Sequence, residues 1–404
     1  MNNDSKQYEV VVVGGGFAGI EAVRTLVKKN LPIVITLVSS GSCFQYYPSL
    51  YRVVVGATAN QVSVPLIKAI HSGVRLVEDT YTGIDQAAHT ITLKSGKVLP
   101  YDYLVLALGS EANYFGIDGM EAQSKSFLSV EKALGLKEYF STIIEKAKTL
   151  PKEEAQLQLR TIIVGAGPSG VELAGALPEY LKGIAKQYKI SPRLIKVDLL
   201  DSSARVLPTI PPAGSAAVLK KLRKNGVTFY PNHGVNSCED NCIVATEKTV
   251  AGEEKKHLQA GTIIWTAGTK INTAFATIPN VSMTERKRIQ VSPTLTLPND
   301  DLVYIAGDGS GTPYSGLAQT AIDQGAYVAN AIAKRVMNEP VEPYIPKKGI
   351  FIIPVGKEWA ILNYKDTVIT GFIPWLLRIV VDLRYFLTIT TVPYVLTMLK
   401  KKSQ

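Results

Sequence analysis

Two stretches decide the fold: VVVGGGFAG, residues 11–19, and TIIVGAGPSG, residues 161–170. Each closes a β-branched run with glycines in G-x-G-x-x-G spacing, Gly14, Gly16 and Gly19 in the first and Gly165, Gly167 and Gly170 in the second. The first glycine of such a turn lets a strand pass sharply into a helix. The second admits a pyrophosphate against the backbone, and the third lets helix and strand pack closely. The phosphates then rest on a helix N-terminus, where unpaired N–H groups and the helix dipole favour negative charge. One such pattern is weak evidence. Two copies, each after a Val/Ile run and each before an apolar-periodic stretch, predict an α/β protein with two Rossmann-like units holding two dinucleotides.

The helix and strand beyond each turn select its nucleotide. Beyond the second, VELAGALPEYLKGIAKQYK reads as a helix and LIKVDLLD as a strand ending at Asp201. A carboxylate there accepts from a ribose 2′-hydroxyl and repels a 2′-phosphate, so NADH is expected over NADPH. Beyond the first turn the strand PIVITLV ends in Ser39 and Ser40 where an acidic residue is expected. Ser39 is read either as a ribose ligand or, with Ser40, as part of an ordinary turn.

A chain of 404 residues suggests two to three domains, and 46% hydrophobic residues suffice for full cores. Cys43, Cys238 and Cys242 form no C-x-x-C pair and no zinc spacing, so neither a disulfide framework nor a metal site is expected. The formal charge is +10, and residues 343–404 carry nine Lys/Arg against three Asp/Glu. No nucleic-acid partner is expected. The start, MNNDSKQYEVVVVGGG, shows no basic-plus-apolar leader, and a cytosol-facing protein is expected.

Three further segments extend the pattern. YDYLVLALGS (101–110) and TIIWTAGTK (262–270) each join a hydrophobic strand to a small-residue turn, placing Ala107 and Gly109, and Ala267 and Gly268, where backbone meets a flat nucleotide. LVYIAGDGS (302–310) ends a strand at Gly307-Asp308. The set resembles the glutathione-reductase-like flavoproteins over nearly the whole of the first 335 residues. That resemblance implies FAD on the first turn, with Asp308 facing its ribityl and pyrophosphate region, and NADH on the second. It also implies interleaved domains: residues 1–115 and 285–340 for FAD, 116–284 for NADH, and 341–404 as a C-terminal domain. PKEEAQLQ (151–158) reads as a polar connector and TVAGEEKKHLQAG (249–261) as an exposed hairpin or loop.

The tail reads GFIPWLLRIVVDLRYFLTITTVPYVLTMLKKKSQ from Gly371. Phe372, Trp375, Leu376, Ile379, Val380, Leu383 and Leu387 recur at helical spacing, with Arg378 and Asp382 on another face. The charge-free run Tyr385–Leu399 holds four threonines and a proline, too short and polar for the roughly 20 apolar residues a bilayer span needs. Amphipathic helices over about 372–399, closed by Lys400-Lys401-Lys402, suit a segment lying in an anionic membrane interface. A helix docked on the protein body or on a second subunit is the alternative.

FQYYPSLYRVVVG (44–56), GPSGVELAG (167–175) and GLAQTAIDQGAYVANAI (316–332) make the resemblance more specific. With them the chain resembles the type II NADH:quinone oxidoreductases, single-subunit flavoenzymes on the membrane surface. That implies two-electron transfer from NADH through FAD to a membrane quinone without proton pumping. It also implies a peripheral location on the cytoplasmic face of the cell membrane. Backbone near Pro48 and Ala318-Gln319 is then expected at the flavin. Gln319 is expected at the quinone and Glu172 beside the flavin and nicotinamide as a contact or proton relay. A plain helix-N-terminal carboxylate is the alternative for Glu172, and Arg378 is left between quinone entrance, lipid phosphate and solvent. Two other functions stay open: a soluble NADH oxidase or disulfide reductase using Cys43, and an NADH-sensing flavoprotein resembling apoptosis-inducing factors. A symmetric homodimer is also open.

Overall fold

A computed structural model describes residues 7–365 and 367–399. The first glycine turn belongs to a six-stranded sheet in the order 296–297, 300–305, 103–106, 8–13, 33–39, 75–78, parallel except for its 296–297 edge. Tyr8–Val13 runs down the middle, which explains its unbroken valines. Val10 and Val12 face one core with Ile20, Leu26, Val328 and Ile332 of the helices Phe17–Val27 and Ala318–Val336. Val11 and Val13 face the opposite core with Ile91 and Leu93 of a small antiparallel sheet, residues 81–100. A strand covered on both faces has no polar side to display.

The second turn repeats this architecture. Four parallel strands lie in the order 227–230, 196–200, 160–164, 262–265. Ile163, Leu199 and Ile264 pack on the helices Val130–Lys146 and Pro168–Gln187. Ile162, Val164 and Ile263 pack on Ile243 and Ala245 of the antiparallel sheet 233–259. The segment 249–261 supplies the exposed strand Gly252–Gln259 of a hairpin in that sheet. Residues 152–158, expected as a connector, are instead a helix. Pro151 stands just before it, and Glu153 and Glu154 lie in its first turn, where the dipole favours acids.

The chain passes between the two units on paired extended segments, Ser110–Ala112 antiparallel to Thr269–Ile271. Phe275, Ile278 and Ile289 then pack in the core behind the first sheet. The inserted unit therefore ends near Ile271 rather than at 284. After residue 350 a three-stranded meander, 351–354, 360–364 and 367–371, leads into the helices Phe372–Ile389 and Val392–Leu399. Ile353 and Ile361 of the meander join the second unit's core, while Phe386, Ile389, Val395 and Met398 join the first unit's. The C-terminal segment thus ties the two units together. No helix among the described residues is long and apolar enough to cross a membrane.

Candidate functional site

The two glycine turns are built alike. Gly14 and Gly165 have φ of +115° and +107°, a region that side chains strain to adopt. A Cβ on Gly14 would overlap the Ala107 carbonyl, and one on Gly165 would lie 2.6 Å from Ala267 Cα. The backbone that follows strands 103–106 and 262–265 therefore presses directly on the turns, and that is why Gly14 and Gly165 carry no side chain. A Cβ on Gly19 or Gly170 would overlap the carbonyl oxygen of Gly14 or Gly165. Only the middle glycines, Gly16 and Gly167, face open space, as the approach of a pyrophosphate requires.

At the second turn that space is a cavity of about 230 Å³, lined by Gly165, Gly167, Pro168, Asp201, Thr266, Ala267, Gly268 and the 207–209 loop. An adjoining cavity of about 170 Å³ shares Thr266 and Gly268 and reaches Phe127, Leu128 and Ser169. Asp201 Oδ2 accepts from the Ala166 N–H and Oδ1 from the Ser203 N–H, both at 2.6 Å. Each oxygen keeps a lone pair for a ribose hydroxyl. These residues fit a 2′-hydroxyl dinucleotide. Thr266, whose hydroxyl donates to the Val164 and Gly165 carbonyls, is a site residue that strand-and-turn patterning did not single out, although it sits inside TIIWTAGTK.

The first turn offers a comparable cradle. Ser39 ends its strand, and its hydroxyl donates to the Gly41 carbonyl while lying 2.8 Å from where a Gly15 Cβ would be. Ser40 is exposed. Gly109, at φ +71°, turns the chain away from Ala107. Asp308 accepts from the Ser110 hydroxyl through Oδ2 and from the Arg288 guanidinium through its backbone carbonyl. Gln324, fully buried, accepts from the Gly307 N–H at 2.7 Å and donates to the Thr312 hydroxyl at 2.7 Å, fixing the Gly307-Asp308 corner. Gln319 is different. It lies exposed on the first turn of the Ala318–Val336 helix, its amide bonded to Asp323 at 3.0 Å.

Between the units lies a buried polar cluster. Glu172 is the fifth residue of the Pro168–Gln187 helix, beyond its first turn, so the helix N-terminus does not explain its charge. It is 7% exposed and meets Arg378 Nη1 at 3.4 Å. Burial pushes the Glu172 carboxyl up to about 7, against the pull of Arg378 and Arg52, and Asp382 adds to the rise. Arg378 donates to Asp382 Oδ1 at 2.8 Å, to the Ile352 carbonyl at 2.8 Å and to the Pro48 carbonyl at 2.7 Å. Asp382 also takes the Tyr46 hydroxyl at 2.8 Å, the Ser49 hydroxyl at 3.3 Å and Arg52 Nη2 at 3.0 Å.

The expectation for Arg378 is thus corrected: it faces neither solvent nor lipid but Glu172. Helical spacing placed Arg378 and Asp382 on one face, but periodicity does not say which face turns inward. Here the charged stripe packs inside. Phe372, Ile373, Leu376, Leu377, Val380, Val381 and Leu387 are exposed, followed by Val392, Leu396 and Leu399. Lys400-Lys401-Lys402 lie outside the described residues. Cys43, Cys238 and Cys242 are all free thiols, and Cys43 lies on a short strand beside Pro65.

The chain is similar in sequence to the type II NADH:quinone oxidoreductase NdhA of Mycobacterium tuberculosis, 28% identical over an alignment that covers 94% of this chain and 83% of that one. It is 26% identical to the type II NADH:quinone oxidoreductase of Staphylococcus haemolyticus, covering 84% of each chain. Among solved structures it resembles NDH2 from Plasmodium falciparum in complex with NADH, with a TM-score of 0.84 at 17% identity over 94% of this chain and 95% of that one. The sulfide:quinone oxidoreductase of Aquifex aeolicus shares the fold at a TM-score of 0.75 and 21% identity, covering 94% and 90%. The pyridine nucleotide-disulphide oxidoreductase family model matches residues 8–325, which contain both glycine turns and Asp308. On that match, and on the paired cradles it spans, the chain belongs to the pyridine nucleotide-disulphide oxidoreductase family.

Proposed function

We propose that this chain is an FAD-dependent type II NADH:quinone oxidoreductase. The observation that carries the reading is sequence similarity to enzymes of that name over 94% of the chain, beyond residue 325 and into the C-terminal helices. Bound FAD supplies a two-electron relay between NADH and quinone; the protein supplies position and electrostatics. Gly165, Gly167 and the Ala267-Gly268 turn seat NADH, Gly170 closes helix on strand, and Asp201 holds its ribose. Gly14, Gly16, Gly19, Ser39, Ala107, Gly109 and Asp308 seat FAD, with Pro48 and Ala318-Gln319 at the flavin edge. Glu172 is the buried carboxyl that exchanges a proton during quinone reduction, and Gln319 is a surface group at the quinone entrance.

The outward apolar face of the last two helices rests on an anionic lipid surface, which the basic excess of residues 343–404 favours. This gives a peripheral protein on the cytoplasmic face of the membrane. A dithiol mechanism is disfavoured, because Cys43 has no cysteine within its own short strand or the strand it pairs with.

Steady-state turnover tests the reading. NADH with a soluble quinone should give sustained oxidation, and NADH with a disulfide should not. Turnover with the disulfide alone would replace this function with a reductase. Flavin reduction without turnover on either acceptor would favour an NADH sensor.

A further inference from the structure

Two buried carboxylates share two guanidiniums in the cluster, and the sharing is unequal. Asp382 holds Arg378 Nε at 2.8 Å and Arg52 Nη2 at 3.0 Å, and also takes the Tyr46 and Ser49 hydroxyls. Among the described residues Glu172 receives only Arg378 Nη1, at 3.4 Å. Charge-assisted N–H···O bonds normally close to about 2.7–2.9 Å, so the Glu172 contact is stretched. The remaining Arg378 bonds go to the carbonyls of Pro48 and Ile352, which fix the fork without cancelling its charge. Arg378 precedes Asp382 by one helical turn, the weaker order for such a pair on an isolated helix. Local helix preference therefore does not account for the pairing, whereas convergence of Tyr46, Ser49 and Arg52 from the 46–52 segment on Asp382 does.

We propose that Asp382 is a positioning residue for the electron-transfer site: by tying up Arg52 and Arg378 it keeps both guanidiniums from closing on Glu172, which stays free to take up and release a proton. The charged and titratable groups facing Glu172 are Tyr51 and Arg52 from the Leu50–Val54 helix and Arg378 and Asp382 from the last long helix. Removing the Asp382 charge acts on Glu172 in one direction by two routes. It deletes a nearby negative charge, and it releases two cations towards the remaining carboxylate. Both favour the ionised form. The inference rests on reading Glu172 as a working group, and it extends that site to the chain's C-terminal segment.

The test is an infrared pH titration of the FAD-loaded protein, following the protonated-carboxyl band that disappears in Glu172→Gln. In Asp382→Asn the midpoint of that band should fall by about one pH unit or more. In Asp382→Glu it should stay at the parent's value. If Asp382→Asn fails to retain flavin, Asp382→Ser, which keeps a hydroxyl for Tyr46, is judged by the same criterion. A midpoint that stays put or rises overturns the proposal, including the case where only the melting temperature falls. Failure of the underlying reading looks different: Glu172→Gln would leave flavin reoxidation by quinone unchanged while the midpoint shift in Asp382→Asn persisted.

Discussion

Glu172 sits 3.4 Å from a guanidinium and burial still pushes its carboxyl up to about 7, because loss of solvent outweighs a pairing that Asp382 has weakened. Its folded-state value is raised from 4.5 to about 7, so its contribution to stability is present below the lower value and lost as pH rises through the upper. The loss is bounded by roughly 3 kcal/mol. Glu172→Gln should therefore flatten the fall in urea-unfolding free energy between about pH 5 and about pH 8. Identical slopes in parent and variant would contradict the burial argument. Asp201 differs, because its two backbone bonds brace the turn as well as the ribose site. Asp201→Ala should raise the KM for NADH about tenfold, more than it lowers kcat. Equal use of NADPH by the parent protein would count against that placement. Cys43→Ser should keep NADH:quinone turnover, and loss of flavin reoxidation with flavin still bound would revive a thiol mechanism. At this scale the sequence was legible wherever spacing dictates backbone, at Gly14, Gly165 and Asp201. The roles of Arg378 and Asp382 were not, because Glu172 and Tyr46, which they meet, lie more than 200 residues away in the chain.

The last long helix carries two jobs on opposite faces. Its inner stripe, Pro374, Arg378, Asp382, Phe386 and Ile389, is buried, while its outer stripe is apolar and open. A tail that only anchored the protein would tolerate removal, but this one would not. Truncation after Thr370 strips Arg378 from Glu172 and removes Phe386, Ile389, Val395 and Met398 from the first unit's core. Breaking such a buried pair typically costs about 3–5 kcal/mol before lost packing is counted. The truncated protein should therefore lose flavin or solubility, and the truncation is a poor test of membrane attachment. Outer-face changes separate the two jobs. Leu376→Gln with Val380→Gln should leave the melting temperature nearly unchanged, since exposed substitutions usually stay within about 0.5 kcal/mol. It should weaken liposome binding more than tenfold, because each apolar side chain withdrawn from water is worth about 1.5–3 kcal/mol. Unchanged flotation with a lost dimer would assign the face to a second copy of the chain. The helical period was readable in the sequence. The packing of its charged stripe against the two units was not, because the period alone does not tell that Arg378 and Asp382 find buried partners.

At the scale of the whole molecule, two copies of one layered plan stand side by side: a parallel sheet with helices on one face and a small antiparallel sheet on the other. The duplication was visible in the two glycine turns, whereas the point of return to the first unit was not. Strands Ser110–Ala112 and Thr269–Ile271 are too short and mixed to announce that they pair. The C-terminal segment is the third part of the plan, with its meander on one core and its helices on the other. It brings Arg378 and Asp382 to the junction of the two units, beside Glu172 and the Pro48 carbonyl. If that junction moves electrons from NADH to quinone, the absorption spectrum of the FAD-loaded protein under nitrogen reports both half-reactions in one sample. Stoichiometric NADH should bleach the flavin bands, and added quinone should restore them in full. Bands that stay bleached after quinone, or that NADH never bleaches, would contradict electron transfer by this route.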